Sequence, residues 1–94
     1  MNAVMLDAAH KAVWRLHQAM DAAYGAAVAA GRNPGDTDPV RLAVAEYRGG
    51  LDVLAGVLDE SGEGGLLPPP SERGLRRRAV EVRFREWVKK EGKV

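Results

Sequence analysis

Gly31-Arg32-Asn33-Pro34-Gly35-Asp36-Thr37-Asp38-Pro39 decides how this chain folds. Gly31 can take the left-handed backbone that ends a helix. Pro34 and Gly35 punctuate a turn. Asp38 followed by Pro39 supplies an N-cap and a first-turn proline, which together start a new helix. The stretch reads as stop, turn, start, so the fold depends on what flanks it.

Upstream, residues 3–30 carry Leu6, Ala9, Val13, Leu16, Met20, Ala23, Ala27 and Ala30 in alternating steps of three and four, the seam of helices that pair side by side. A second stripe, Met5, Ala12, Ala19 and Ala26, runs beside it, and its small side chains invite close packing by a neighbour. His10, His17 and Tyr24 repeat on the other flank. Gly25 costs about 1 kcal/mol against Ala without ending the helix. Downstream, residues 39–60 carry Val40, Val44, Tyr47, Leu51, Leu54 and Leu58 in similar steps. A turn of seven residues, 31–37, between two seamed helices favours an antiparallel hairpin.

Residues 61–71 form a linker, flexible in its Gly-rich half and stiff in its Pro run, with Leu66 and Leu67 as anchors onto the hairpin. Ser71 can cap a third helix. Over 72–91 Arg, Glu, Ala and Lys dominate, and Val80, Phe84, Trp87 and Val88 share one helical face. Leu75 and Val82 point elsewhere, and residues 80–85 also alternate as a strand would. A lone strand has no partner in a helical chain, so a helix is expected, with an edge strand over 79–88 the alternative if two chains pair.

The expected fold is therefore all-α, one domain over residues 1–94: a long antiparallel helical hairpin plus a C-terminal basic helix. A first helix about 42 Å long outruns the second and leaves apolar surface uncovered. Trp14, Leu42 and Val53 lie off the main seams. These features point to a homodimer, two hairpins closing a four-helix bundle.

Charge is sorted along the chain. Residues 1–72 hold five Lys/Arg and ten Asp/Glu, whereas residues 73–94 hold nine Lys/Arg and three Asp/Glu. A basic end on an acidic body is a surface for a macromolecular partner. The candidate binding residues are Arg73, Arg76, Arg77, Arg78, Arg83, Arg85, Trp87, Lys89 and Lys90. Arg forks suit phosphates or carboxylates, and Trp87 would stack on a single-stranded base. Two blander outcomes compete. Glu72–Arg76, Arg77–Glu81, Glu81–Arg85 and Glu86–Lys90 are spaced to pair within the helix. Alternatively, the basic helix packs against Asp52, Asp59 and Glu60 of its own hairpin.

Other chemistries find little footing. A helix-turn-helix can be laid on Arg41, Ala45, Gly49 and Leu58. Its reading helix, residues 51–60, has no Arg, Lys, Asn or Gln to meet a base edge, and its acids repel phosphate. Gly49 and Gly50 are better read as a bend, or as a close approach to the alanine stripe. His10 and His17 stand about 10 Å apart along a helix, too far for one metal, and Asp7 and Asp21 are placed to hydrogen-bond them. Asp36-Thr37-Asp38 lacks the rest of a calcium loop, and Gly62, Gly64 and Gly65 lack a phosphate-binding Lys. The hydroxyl nucleophiles Ser61, Ser71 and Thr37 fall in linkers or caps, and the chain has no Cys. No metal or cofactor is expected.

No apolar run reaches the length of a membrane span, and the first residues lack the pattern of a signal peptide. The expectation is a soluble, cytoplasmic, non-enzymatic adaptor that self-assembles through its hairpin. Its basic segment would engage an acidic protein surface or, alternatively, DNA or RNA.

Overall fold

The computed structural model describes residues 3–62 and 67–93. Three helices follow in order, α1 (Ala3–Ala29), α2 (Asp38–Glu60) and α3 (Arg73–Lys90), with one 3-10 turn at Pro34–Asp36 between the first two. Residues 80–85 lie inside α3, so the edge-strand alternative is excluded. No helix among the described residues is long and apolar enough to cross a membrane.

The turn that organises the fold is closed by its own hydrogen bonds. Gly31 takes φ +71°. Its N–H donates to Val28 O at 3.0 Å and that of Arg32 to Ala27 O at 2.9 Å, which satisfies the last free carbonyls of α1. Asn33 then accepts from the Gly35 N–H through its side chain. The helix start lies one residue earlier than the Asp38-Pro39 pair suggests. Thr37 is the extended N-cap, and Asp38 is already helical, where its charge faces the positive end of the helix dipole. Thr37 spends its hydroxyl backwards, on Pro34 O at 2.9 Å, so it caps α2 with backbone alone. Ser71 is likewise not the cap of α3. A turn closed by Glu72 N–H on Pro69 O holds Ser71 outside, and Glu72 takes the cap position.

α1 and α2 pair as the antiparallel hairpin, and α3 lies across one face of it. The N-terminal part of α3 rests on α2: Arg77 reaches Asp52 and Glu81 reaches Tyr47. Its C-terminal part rests on α1, where Trp87 stacks on His10. The core is where the three meet. Val13 of α1, Tyr47, Leu51, Leu54, Ala55 and Leu58 of α2, and Val80, Phe84 and Val88 of α3 are buried together. Each large side chain among them contributes roughly 1.5–3 kcal/mol by leaving water. Leu67 packs on this cluster from the linker, as expected; Leu66, Gly64 and Gly65 fall outside the described residues.

Both main seams face inward, but the second stripe of α1 does not. Met5, Ala12, Ala19 and Ala26 are all exposed, because α3 settles on the opposite, histidine flank. The close approach expected of the paired glycines is real at one of them and directed at a different target. A Cβ on Gly50 would stand 2.6 Å from Leu16 Cδ1 and 3.6 Å from Val13 Cγ2, whereas one on Gly49 would meet nothing within 4 Å. Gly50 is thus a seam contact and Gly49 an outward residue.

Apolar surface stays uncovered at both ends of α1, which is longer than α2; Val4 and Met5 are exposed at its start. α3 is short. It covers His10 and His17, and Tyr24, the next residue on that flank, lies beyond it and is exposed together with Val28. The molecule is flat, 45 × 31 × 16 Å along its principal axes.

Candidate interaction surface on the basic helix

Amphipathic spacing sorts the residues of α3 onto three aspects. The buried face is Val80, Phe84 and Val88. On its flank toward α2, Arg76 and Arg77 fold back onto the hairpin. The Arg77 guanidinium grips Asp52 with Nε at 3.3 Å from one carboxylate oxygen and Nη2 at 3.0 Å from the other, and this bonding raises its already high pKa. Arg76 pairs with Asp59 and also donates to Pro68 O at 3.0 Å, so one side chain ties α3 to α2 and to the linker. These are two of the acids named as internal counter-ions from the sequence. The within-helix pairs Glu72–Arg76 and Arg77–Glu81 do not form: Arg77 holds both oxygens of Asp52, and Arg76 is held by Asp59 together with the Pro68 carbonyl, each a more fixed contact than a single flexible i,i+4 pair. Glu81–Arg85 does form, at 3.5 Å.

Trp87 is half-buried and packs against the core of its own chain. It stacks on His10 at 5.2 Å and on Phe84 at 6.2 Å between ring centroids. The Lys93 ammonium lies 5.8 Å from its ring centre and 5.9 Å from that of Trp14. The position of Lys93 follows from Gly92, whose φ of +69° bends the chain back over the helix end. Trp14, read from sequence as an outward signal, is therefore half-buried under the chain's own C-terminal turn.

The histidines belong to the same aromatic cluster. His10 is buried and donates its Nδ1 proton to Leu6 O at 2.8 Å, so the expected Asp7 partner is not used. Asp7 pairs instead with Lys11 at 2.8 Å, which holds its carboxyl below the usual range. His17 stacks with Trp14 and meets Tyr47 and Phe84. Its Nδ1 is shut from solvent 3.3 Å from Asp21 Oδ2, in a direction that makes no hydrogen bond. Among the described residues no three His, Asp or Glu come together as a ligand set. The hydroxyls of Thr37 and Ser61 are spent on carbonyls of Pro34 and Leu58.

The outward aspect of α3 remains. Leu75, Arg78, Val82, Arg85 and Lys89 follow one another in steps of three and four and are all exposed, so they form one continuous stripe. Leu75, in the first turn of α3, and Val82, near its middle, are 56% and 54% exposed. Arg73 and Lys90 are exposed near its ends, and Arg83 is half-buried on its edge. Sequence reasoning chose Arg78, Arg85 and Lys89 from this stripe for their charge but left out Leu75 and Val82. Their spacing relative to the arginines was the available signal.

No protein-family model matches this chain, and neither curated proteins nor solved structures give a match.

Proposed function

We propose that this protein is a non-enzymatic interaction module of the cytoplasm, whose α3 docks an acidic, partly apolar protein surface through Leu75, Arg78, Val82, Arg85 and Lys89. One observation carries this reading: the guanidinium and ammonium groups that face solvent are interleaved with exposed aliphatic side chains at helical spacing. Phosphate backbones reward cations but give exposed Leu and Val nothing. A protein helix with carboxylates beside apolar residues rewards both, and burial of the aliphatics adds affinity that ion pairs at a rim do not.

Direct DNA or RNA binding draws on the same cations and is the less favoured reading. Arg76 and Arg77 are occupied by Asp59 and Asp52, and Trp87 is stacked on two rings of its own chain. That leaves neither an unbroken row of arginines nor an open stacking platform.

The test is a titration followed by NMR at physiological salt. A synthetic helical peptide presenting Glu and Leu in three-four steps should shift the methyls of Leu75 and Val82 and the Nε–H signals of Arg78 and Arg85. Double- and single-stranded oligonucleotides should not. Oligonucleotide binding with a steep salt dependence, in the absence of peptide binding, overturns the proposal in favour of nucleic acid.

A further inference from the structure

The hairpin carries a surface that answers the α3 stripe. Along α2, Asp38, Leu42, Ala45, Gly49, Val53, Gly56 and Glu60 also follow steps of three and four, and all are exposed. Leu42 and Val53 are 62% and 66% exposed, more than any other large apolar residue except Val4 among the described residues. Glu46 borders this stripe; Arg41 stands beside its N-terminal end, where it pairs with Asp38 at 3.7 Å, and Arg48 lies round the helix toward Arg77 and Glu81 of α3. α2 therefore presents aliphatics mostly among carboxylates, and α3 presents aliphatics mostly among cations, with Glu86 beside Val82 the exception, on one and the same chain.

We propose that the acidic partner of α3 is the outward face of α2 on a second copy of this chain. The inference rests on the docking role of α3 proposed above and supplies its occupant. Within one molecule the two stripes cannot meet. Both helices turn their opposite faces to the shared core through Leu51, Leu54 and Leu58 on one and Val80, Phe84 and Val88 on the other. Between copies, Leu42 and Val53 cover Leu75 and Val82, while Glu46 and Glu60 oppose Arg78, Arg85 and Lys89. Gly49 and Ala45 lie between the aliphatics and keep the α2 face low, so that two helix backbones can approach. Leu42 and Val53 are eleven residues apart, about 16 Å, and Leu75 and Val82 seven, about 10 Å, so the stripes meet where the helices cross and not residue on residue along their length. Like stripes repel and unlike stripes attract, which fixes the pairing as α3 on α2.

Charge reversal on each stripe tests this. Arg78→Glu/Arg85→Glu makes both stripes acidic, and Glu46→Lys/Glu60→Lys makes both basic. All four positions are exposed, and matching far-UV spectra and melting midpoints establish that the variants fold. By sedimentation equilibrium at low salt, wild type should self-associate, and each variant alone should associate at least tenfold more weakly. An equimolar mixture of the two variants should recover association with both in equal amount, and 0.5 M salt should weaken every complex. A wild type that stays monomeric at millimolar concentration overturns the inference, as does a mixture no stronger than its components. The Glu/Leu peptide separates that failure from a failure of the docking role. If it still shifts Leu75 and Val82 on a monomeric wild type, α3 docks some other acidic protein. If it does not, both proposals fall.

Discussion

Arg77 and Asp52, twenty-five positions apart, meet through two hydrogen bonds that run from one guanidinium to both oxygens of one carboxylate. The pair joins α3 to α2 and decides how the basic segment is used. A helix rich in arginine looks uniform as a sequence. Once folded it is divided, with Arg76 and Arg77 bonded to aspartates of the hairpin and Arg78 and Arg85 left exposed.

The second link between these helices is Tyr47, which donates its phenolic proton to Glu81 Oε2 at 2.8 Å. Burial, reinforced by the bond to Glu81, pushes the phenol above its ordinary value. A raised folded-state pKa means that the contribution is fully present below about pH 10, where the unfolded phenol titrates, and is lost as pH rises beyond it. Denaturation of Tyr47→Phe should show about 1 kcal/mol lower stability at neutral pH, from loss of the hydrogen bond. The alkaline loss of stability should also be smaller than in wild type. Identical alkaline profiles would show that Tyr47 is not the group responsible.

Gly49 and Gly50 are neighbours with opposite surroundings. Gly49→Ala should stabilise the fold by up to about 1 kcal/mol, since helix propensity improves and nothing obstructs the new methyl. Gly50→Ala gains the same propensity but must displace the Leu16 methyl from the seam, so the benefit should be cancelled or reversed. Equal thermal shifts for the two variants would mean that α1 and α2 are not packed as closely as described.

Phe84 is 1% exposed and meets the rings of His17, Tyr47 and Trp87. Phe84→Ala should cost roughly 3–5 kcal/mol, enough to leave a chain of this size partly unfolded. Phe84→Leu should retain the fold at a smaller cost. Urea denaturation distinguishes them. A mild effect of Phe84→Ala would place the core elsewhere.

Much of the fold was legible because it is periodic. The seams through Val13 and Leu16 and through Tyr47, Leu51 and Leu54 repeat at the helical interval, and Gly31 marks the reversal between them. The caps were misplaced by a residue because Thr37 and Glu72 are set by turn hydrogen bonds to Pro34 and Pro69, which composition does not reveal. The alanine stripe was misread for a different reason. Two flanks of α1 looked equally able to receive α3, and only the meeting of Trp87 with His10 and of Phe84 with His17 selects the histidine flank. At the candidate site, charge identified the right helix. It could not divide Arg76 and Arg77 from Arg78 and Arg85, because that division depends on where Asp52 and Asp59 stand on another helix.

That division is measured most directly by comparing Arg76→Ala/Arg77→Ala with Arg78→Ala/Arg85→Ala in chemical denaturation and sedimentation. The first pair should lose roughly 1–3 kcal/mol of stability, most of it from Arg76, the less exposed of the two. The second should stay within about 0.5 kcal/mol of wild type while its self-association weakens. Equal stabilities for the two pairs, with association unchanged in the second, would contradict an inward anchor and an outward docking stripe on the same helix.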